Sequence, residues 1–128
     1  MFILRGSILP IFSGYTKVTM TMSSYAQLST IRLGCLSIPV EYSSEIEAMG
    51  EWVSGTSPKI VLADDLAPVQ HALTVIHELL HGLSDAYGVG LTERDVLCLE
   101  QGIAGFVQGN PEVALGLLRE ILGLPETP

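Results

Sequence analysis

The chain is poor in charge, in basic residues and in aromatic side chains. Only 16% of its 128 residues are charged and 48% are hydrophobic, whereas ordinary soluble domains have roughly 25% charged residues. This balance excludes a disordered tail and a charged coiled coil. Six basic residues stand against 14 acidic ones, so the chain has a net charge of −8 and lacks the positive field that attracts phosphate backbones. We therefore expect no nucleic-acid partner.

The sequence also lacks long hydrophobic runs and is nearly free of cysteine. The apolar stretch at its N-terminus is interrupted by Arg5, Gly6 and Pro10, which excludes a signal peptide. No other stretch approaches the roughly 20 apolar residues of a membrane span, so we expect no membrane partner. Cys35 and Cys98 have neither CxxC spacing nor a disulfide framework around them. Two buried free thiols in the cytoplasm are the favoured interpretation, and one bridge is the alternative.

Length and local pattern predict one domain that begins with strands. A chain of 128 residues falls within the roughly 100–200 residues of a single domain. We interpret residues 1–22 as a disordered or appended leader and residues 23–128 as the domain. Residues 30–42 predict a strand or a bent pair of strands. Residues 50–53 and 59–62 predict a β-hairpin with a five-residue loop.

The remainder of the chain predicts three helices, so the expected fold is α+β, a small antiparallel sheet or hairpin followed by three helices. The first helix runs from Pro68 to about Tyr87, and the second follows a capping box at Thr92 and stops at Gly109. The third runs from residue 111 to residue 122. Each of the first two carries an apolar stripe at spacings of three and four, which predicts a buried face. The stripes are Val69, Leu73, Ile76, Leu80 and Leu83, and then Val96, Leu99, Ile103 and Phe106.

All three histidines of the chain lie in the first predicted helix, and two of them form an HExxH motif. His77 and His81 are four residues apart, or about 40° around the helix axis, so both imidazoles can reach one point beside it. Glu78 lies about 100° from His77, where its carboxylate can take a proton from a metal-bound water. The motif therefore predicts a zinc site with Glu78 as the general base.

A catalytic zinc site needs a third protein ligand, and the residues alone leave that choice open. Glu93 and Glu100 are seven residues apart and share one face of the second helix. A tight antiparallel hairpin would place Glu100 level with the histidines, whereas a steeper crossing would bring in Glu93. Asp85 is a third candidate. His71 lies about 120° from His77 around the helix, so we do not expect it to be a ligand.

From residue 59 to residue 110 the chain resembles a known family. The segments KIVLADD, TVIHELLHGLSDAYGVGLTERDVLCLEQGI and GNPE look like those of small phage-encoded metallopeptidases of the HExxH zincin class, with a layout similar to the minimal ImmA/IrrE-type peptidase domain. The gluzincin-like pattern Glu93-Arg94-Asp95-Val96 then implies Glu93 as the third ligand, with Glu100 as the second choice. The resemblance also implies the cytoplasm of a bacterial host or phage-infected cell. Because the residues after His81 lack the HxxGxxH extension, a metzincin is excluded.

The predicted function is zinc-dependent hydrolysis of peptide bonds in a peptide or protein substrate. Resemblance to zincins further implies that the strand at residues 59–62 is the edge with which an extended substrate pairs. Tyr87 is a candidate for stabilising the oxyanion, although a packing role is favoured for it. The alternative is a non-catalytic, zinc-stabilised module that binds peptides or regulates a partner. Glu78 distinguishes the two because a purely structural site needs no carboxylate at that position.

Overall fold

The computed structural model of the protein describes residues 25–125, in which a four-stranded mixed sheet is followed by three helices. The α+β prediction is confirmed, but the sheet is mixed because its two middle strands run parallel. The leader predicted at residues 1–22 lies outside the described residues. The strands are β1 (Thr30–Leu33), β2 (Leu36–Ser43), β3 (Gly50–Val53) and β4 (Lys59–Ala63), in the spatial order β1-β2-β4-β3.

One face of the sheet carries the apolar side chains. Side chains alternate between the two faces of a strand, so Ile38 and Val40 of β2 lie on the same face as Ile60 and Leu62 of β4. These four residues form a core cluster with Trp52 of β3. The first helix packs against β3 and β4, and its residues Val75 and Leu79 contact this cluster, so the sheet also positions the candidate site.

The interior position of β4 overturns the predicted substrate edge. The strand at residues 59–62 pairs with β2 on one side and with β3 on the other, so its backbone groups are already engaged. The edge strand beside the first helix is β3, and β4 is its single neighbour among the described strands. The hairpin itself was predicted correctly. Its place in the sheet was not, because a hairpin pattern does not indicate which of its strands a third strand joins.

The three helices begin and end where the sequence predicts. They are α1 (Pro68–Tyr87), α2 (Glu93–Gly109) and α3 (Pro111–Leu122). Gly88 ends α1 in the left-handed conformation, with φ of 65°. The hydroxyl of Thr92 accepts a hydrogen bond from the backbone N–H of Asp95 at 3.1 Å, which confirms the capping box of α2. Asn110 alone joins α2 to α3, and its side chain donates to the carbonyl of Phe106.

The buried faces of α1 and α2 differ from the predicted ones. In α1 the sheet and α2 cover a largely polar face, and of the apolar stripe only Leu73 is buried. In α2, Val96 is buried as predicted, but Leu99, Ile103 and Phe106 are between 39% and 43% exposed. The prediction of buried stripes is therefore wrong for most of their residues. Periodicity identifies an apolar face, but the tertiary packing decides which face meets the sheet.

A tryptophan holds β3 against α1 one residue beyond the HExxH motif. The ring of Trp52 lies over Gly82, where an added Cβ would stand only 2.9 Å from two ring carbons. The indole N–H of Trp52 donates to the carboxylate of Asp85 at 2.6 Å. Gly82 is therefore needed for close packing, and the Asp85 side chain binds the tryptophan.

Both cysteines of the chain, Cys35 and Cys98, are free, as predicted, but they are exposed rather than buried. Cys35 lies in the turn between β1 and β2, and Cys98 lies on the open side of α2. Within residues 25–125, none of the helices has the length and the apolar character that crossing a bilayer requires.

Replacement of Gly82 by alanine tests the packing of α1 on Trp52. We expect Gly82→Ala to lower the free energy of unfolding by about 1–3 kcal/mol, because the new methyl group overlaps the indole ring. The matched control is Gly105→Ala in α2, where a Cβ meets nothing within 4 Å and helix propensity predicts a gain of up to about 1 kcal/mol. Urea denaturation followed by circular dichroism measures both. If the two substitutions changed the free energy of unfolding equally, the close packing of Trp52 on Gly82 would be contradicted.

Candidate metal centre

Two imidazoles lie side by side on the buried face of α1. His77 and His81 are one helical turn apart, and their ring centroids are 5.0 Å apart with the planes inclined at 63°. Both residues are buried. Burial lowers the pKa of His81, which favours the neutral imidazole that a metal ion requires.

The first residue of α2 brings a carboxylate to both histidines. Oε1 of Glu93 lies 2.6 Å from Nε2 of His77 and 3.1 Å from Nε2 of His81. One ligand atom from each of these three residues lies within 4.8 Å of the others, so the group could hold a metal ion. The Glu93 side chain is 32% exposed, so the group opens to solvent on this side. Capping by Thr92 fixes the start of α2 and with it the position of Glu93.

The second acidic candidate approaches the other nitrogen of the same ring. Oε1 of Glu100 lies 2.7 Å from Nδ1 of His77, and neither side chain is exposed to solvent. The Nδ1–H group of His77 donates a hydrogen bond to this carboxylate. The other ring nitrogen, Nε2, then faces Glu93 and His81. Histidine ligands of metal ions commonly donate their second ring nitrogen to a carboxylate in this way. The structure therefore places Glu93 on the ligand side of His77 and Glu100 behind it.

Glu78 is a fully buried carboxyl group without a hydrogen-bond partner. Its side chain is inaccessible to solvent, and neither of its oxygens has a partner in hydrogen-bond geometry. Burial, with the Glu93 carboxylate as the second cause, raises the pKa of Glu78 from 4.5 to about 8. The backbone of Trp52 only partly offsets this rise. A carboxyl group with a pKa near neutrality can both take up and release a proton at physiological pH.

Gly50 allows the edge strand to approach Glu78 closely. An added Cβ there would stand 2.6 Å from Cγ2 of Thr74 and 3.3 Å from Cγ of Glu78. The N–H of Ala63 donates to the carbonyl of Met49, so by the alternation of an antiparallel ladder the outward-facing backbone groups of β3 are those of Gly50 and Trp52. Outward-facing backbone groups of β3 therefore border the Glu78 side of the site, and that of Trp52 is directed at the Glu78 carboxyl group itself.

The charges of this cluster favour a bound cation. Glu93 and Glu100 contact the imidazoles, Glu78 lies near both carboxylates, and no lysine or arginine of residues 25–125 forms an ion pair with any of the three. One carboxylate oxygen of Glu93 and one of Glu100 are also buried without a partner. Uncompensated buried charge is costly, and a divalent ion would offset it. Two imidazole nitrogens and one carboxylate oxygen are a ligand set of catalytic zinc sites, so the residues fit zinc.

Three other residues considered from the sequence lie outside this cluster. Nε2 of His71 forms a hydrogen bond of 2.9 Å with the hydroxyl of Tyr42, and the His71 ring stacks on Tyr25. The carboxylate of Asp85 is bonded to Trp52 instead. Tyr87 is 70% exposed, and its hydroxyl points toward the turn at Gly34.

Sequence reasoning missed Gly50 and Trp52 as residues that shape the site. A glycine inside a predicted strand is a signal for close approach of another backbone or side chain, so Gly50 could have been singled out. The only tryptophan of the chain stands two residues later, on the same strand face. Nothing in the local pattern links either residue to the HExxH motif, because the contact spans about 30 residues of sequence.

Metal content separates the roles of the two glutamates. We expect Glu93→Gln to lose stoichiometric zinc, because it removes the carboxylate that faces both Nε2 atoms. Glu100→Gln should retain zinc with an affinity about 10–100-fold weaker, because it alters only the partner of His77 Nδ1. Glu112→Gln, on the exposed start of α3, is the control. Elemental analysis and chelator competition measure the three, and a larger loss in Glu100→Gln than in Glu93→Gln would reverse the assignment.

The buried Glu78 carboxyl also makes stability depend on pH in the metal-free protein. Between pH 4.5 and about 8 the folded state holds a proton that the unfolded chain has released. The protonated Glu78 therefore contributes its full stabilisation of the folded state below pH 4.5. This stabilisation is lost as pH rises through the window, at about 1.4 kcal/mol per pH unit. We expect Glu78→Gln to remove this slope. Urea denaturation of both proteins with a chelator present, at about pH 5 and about pH 8, measures this pH dependence. If the free energy of unfolding changed equally with pH in the wild type and in Glu78→Gln, the assignment to Glu78 would be contradicted.

The chain was also compared with known proteins at three levels. No family model matches it, and no match was found among curated proteins or among solved structures. The resemblance of the HExxH segment to small phage zincins therefore rests on the motif and its flanks. What the cluster can do follows from its own residues and their geometry.

Proposed function

We propose that the protein is a zinc-dependent peptidase that acts on extended peptide or protein segments. One observation carries the proposal: Nε2 of His77, Nε2 of His81 and Oε1 of Glu93 converge near a buried carboxyl group, Glu78, that pairs with no other side chain of residues 25–125. A structural metal site would account for the first three residues. It would not account for Glu78.

Each residue of the cluster has a separate task in this proposal. His77, His81 and Glu93 would hold the metal ion. When bound there, zinc would supply a Lewis acid for the scissile carbonyl and a water of lowered pKa. Glu100 keeps the proton of His77 on Nδ1, so that Nε2 remains free to bind.

Glu78 handles the proton of the reaction. Its carboxylate accepts a proton from the attacking water and donates it to the leaving amine. Burial and the nearby Glu93 raise its pKa to about 8, and a cation in the cluster would lower that pKa again. The group therefore alternates between its two states near neutral pH. Its buried position also keeps bulk water from competing for the proton.

The edge strand β3 supports the choice of an extended peptide as substrate. Gly50 and Trp52 direct their backbone groups away from β4, where no other described strand pairs with them, and Gly50 lies beside Glu78. An extended chain that pairs with this edge would be held by backbone hydrogen bonds, which are independent of its sequence. The free thiols of Cys35 and Cys98 support action in a reducing compartment such as the bacterial cytoplasm.

Replacement of Glu78 separates catalysis from metal binding. We expect zinc-loaded Glu78→Gln to cleave a mixed peptide library at least about 100-fold more slowly than the wild type, because the general base is lost. Its zinc content and circular dichroism should be unchanged. Glu112→Gln is the matched control. New N-termini and their rates of formation are measured by mass spectrometry.

Two results would count against the peptidase. Cleavage by Glu78→Gln at the wild-type rate would contradict the role of Glu78. Stoichiometric zinc without cleavage of any peptide by the wild type would favour the non-catalytic, zinc-stabilised module instead.

A further inference from the structure

Within residues 25–125, the apolar stripes of α1 and α2 border an open groove. The groove has a volume of about 320 Å³ and is lined by Val69, Leu73 and Ile76 of α1 and by Ile103 and Val107 of α2. None of its nine lining residues is charged. Val69 and Val107 are 43% and 44% exposed. Apolar side chains that a helical pattern predicts to be buried thus remain in contact with water.

The third helix is an apolar arm that the other described residues, 25–110, leave largely uncovered. Of the apolar residues of α3 only Ala114 is buried, and Ile121 is 80% exposed. The charged residues Glu112, Arg119 and Glu120 fall on the side opposite Ala114, within about 100° of one another around the axis. A helix of 12 residues is of marginal stability in water unless its apolar face is packed.

We propose that a second copy of this chain covers these surfaces, with α3 of each copy lying in the α1–α2 groove of the other. An apolar helix face and an uncharged groove occur on the same molecule, so the two surfaces are complementary between copies. A two-fold axis then buries both grooves and closes the assembly at a dimer.

The extent of the apolar surface suits a dimer. Eleven aliphatic or phenylalanine side chains of α1, α2 and α3 are at least 39% exposed. Their summed exposed area of several hundred Å² is comparable to the roughly 800 Å² that each partner of a standard interface buries.

The charge distribution places the contact between copies at the groove and disfavours a lipid surface. With a net charge of −8, two copies repel each other across most of their surfaces, and the uncharged groove is where they approach at least cost. A lipid surface is disfavoured, because helices that bind membranes carry lysine or arginine on their polar face. The polar side of α3 has a single arginine and two glutamates.

The mass of the full chain in solution is the first test. Light scattering and sedimentation over a series of concentrations should give twice the chain mass, with dissociation on dilution. A monomer up to the limit of solubility, an open series of larger species, or binding to phosphatidylglycerol vesicles without self-association would overturn the proposal. This measurement uses the unaltered protein and does not depend on any variant folding.

Paired substitutions test the contact itself. Ile121→Glu on α3 and Val107→Lys in the groove should each weaken dimerisation by at least about tenfold with unchanged circular dichroism. Val89→Glu is the control, because Val89 is an exposed apolar residue in the loop between α1 and α2. A mixture of the two weakened variants should form a heterodimer, in which one contact pairs the new charges and the other is native. If both are monomeric alone and in the mixture, α3 does not occupy the groove.

Discussion

The buried hydrogen bond between Nδ1 of His77 and Oε1 of Glu100 is the constraint on which the arrangement of this protein depends. At 2.7 Å, with both side chains fully buried, it joins α1 to α2 in the middle of their contact. Removal of either partner would leave the other group buried and unpaired, which is strongly destabilising. The same bond sets the orientation of the His77 ring, so that Nε2 faces Glu93 and His81. Helix packing and the candidate metal centre therefore rest on one contact.

The proposed function explains an unusual distribution of polarity in α1. Its polar residues face the sheet and α2, where carboxyl and imidazole groups are deprived of water. The raised pKa of Glu78 reports the free-energy cost of this arrangement, which a bound cation would offset. Because the polar face is turned inward, the apolar stripe around Val69 and Ile76 is turned toward the open groove. The chemistry of the cluster and the exposed helical surface are thus two consequences of one helix orientation.

Much of the fold could be predicted because its signals are local. Pro68, the capping pair Thr92 and Asp95, and the glycines that follow the helices fix the helix bounds within a few residues of sequence. The predictions that failed were tertiary ones. The hairpin pattern could not indicate that β2 joins β4. Cys98 is exposed because it lies on an uncovered face of α2, and Cys35 is exposed in the turn between β1 and β2. Local patterns carry no information on such long-range pairing.

The sequence by itself determined that His77 and His81 share one side of a helix with Glu78 beside them, because four residues are slightly more than one turn. It also determined that Glu93 and Glu100 share a face of the next helix. Only the tertiary structure decided which carboxylate meets which nitrogen of His77. Helix spacing fixes angles around one axis, whereas this choice depends on the crossing of two axes and on the depth at which they touch. That crossing depends on packing between residues distant in sequence, including the core cluster that Leu73 of α1 and Ala104 of α2 share.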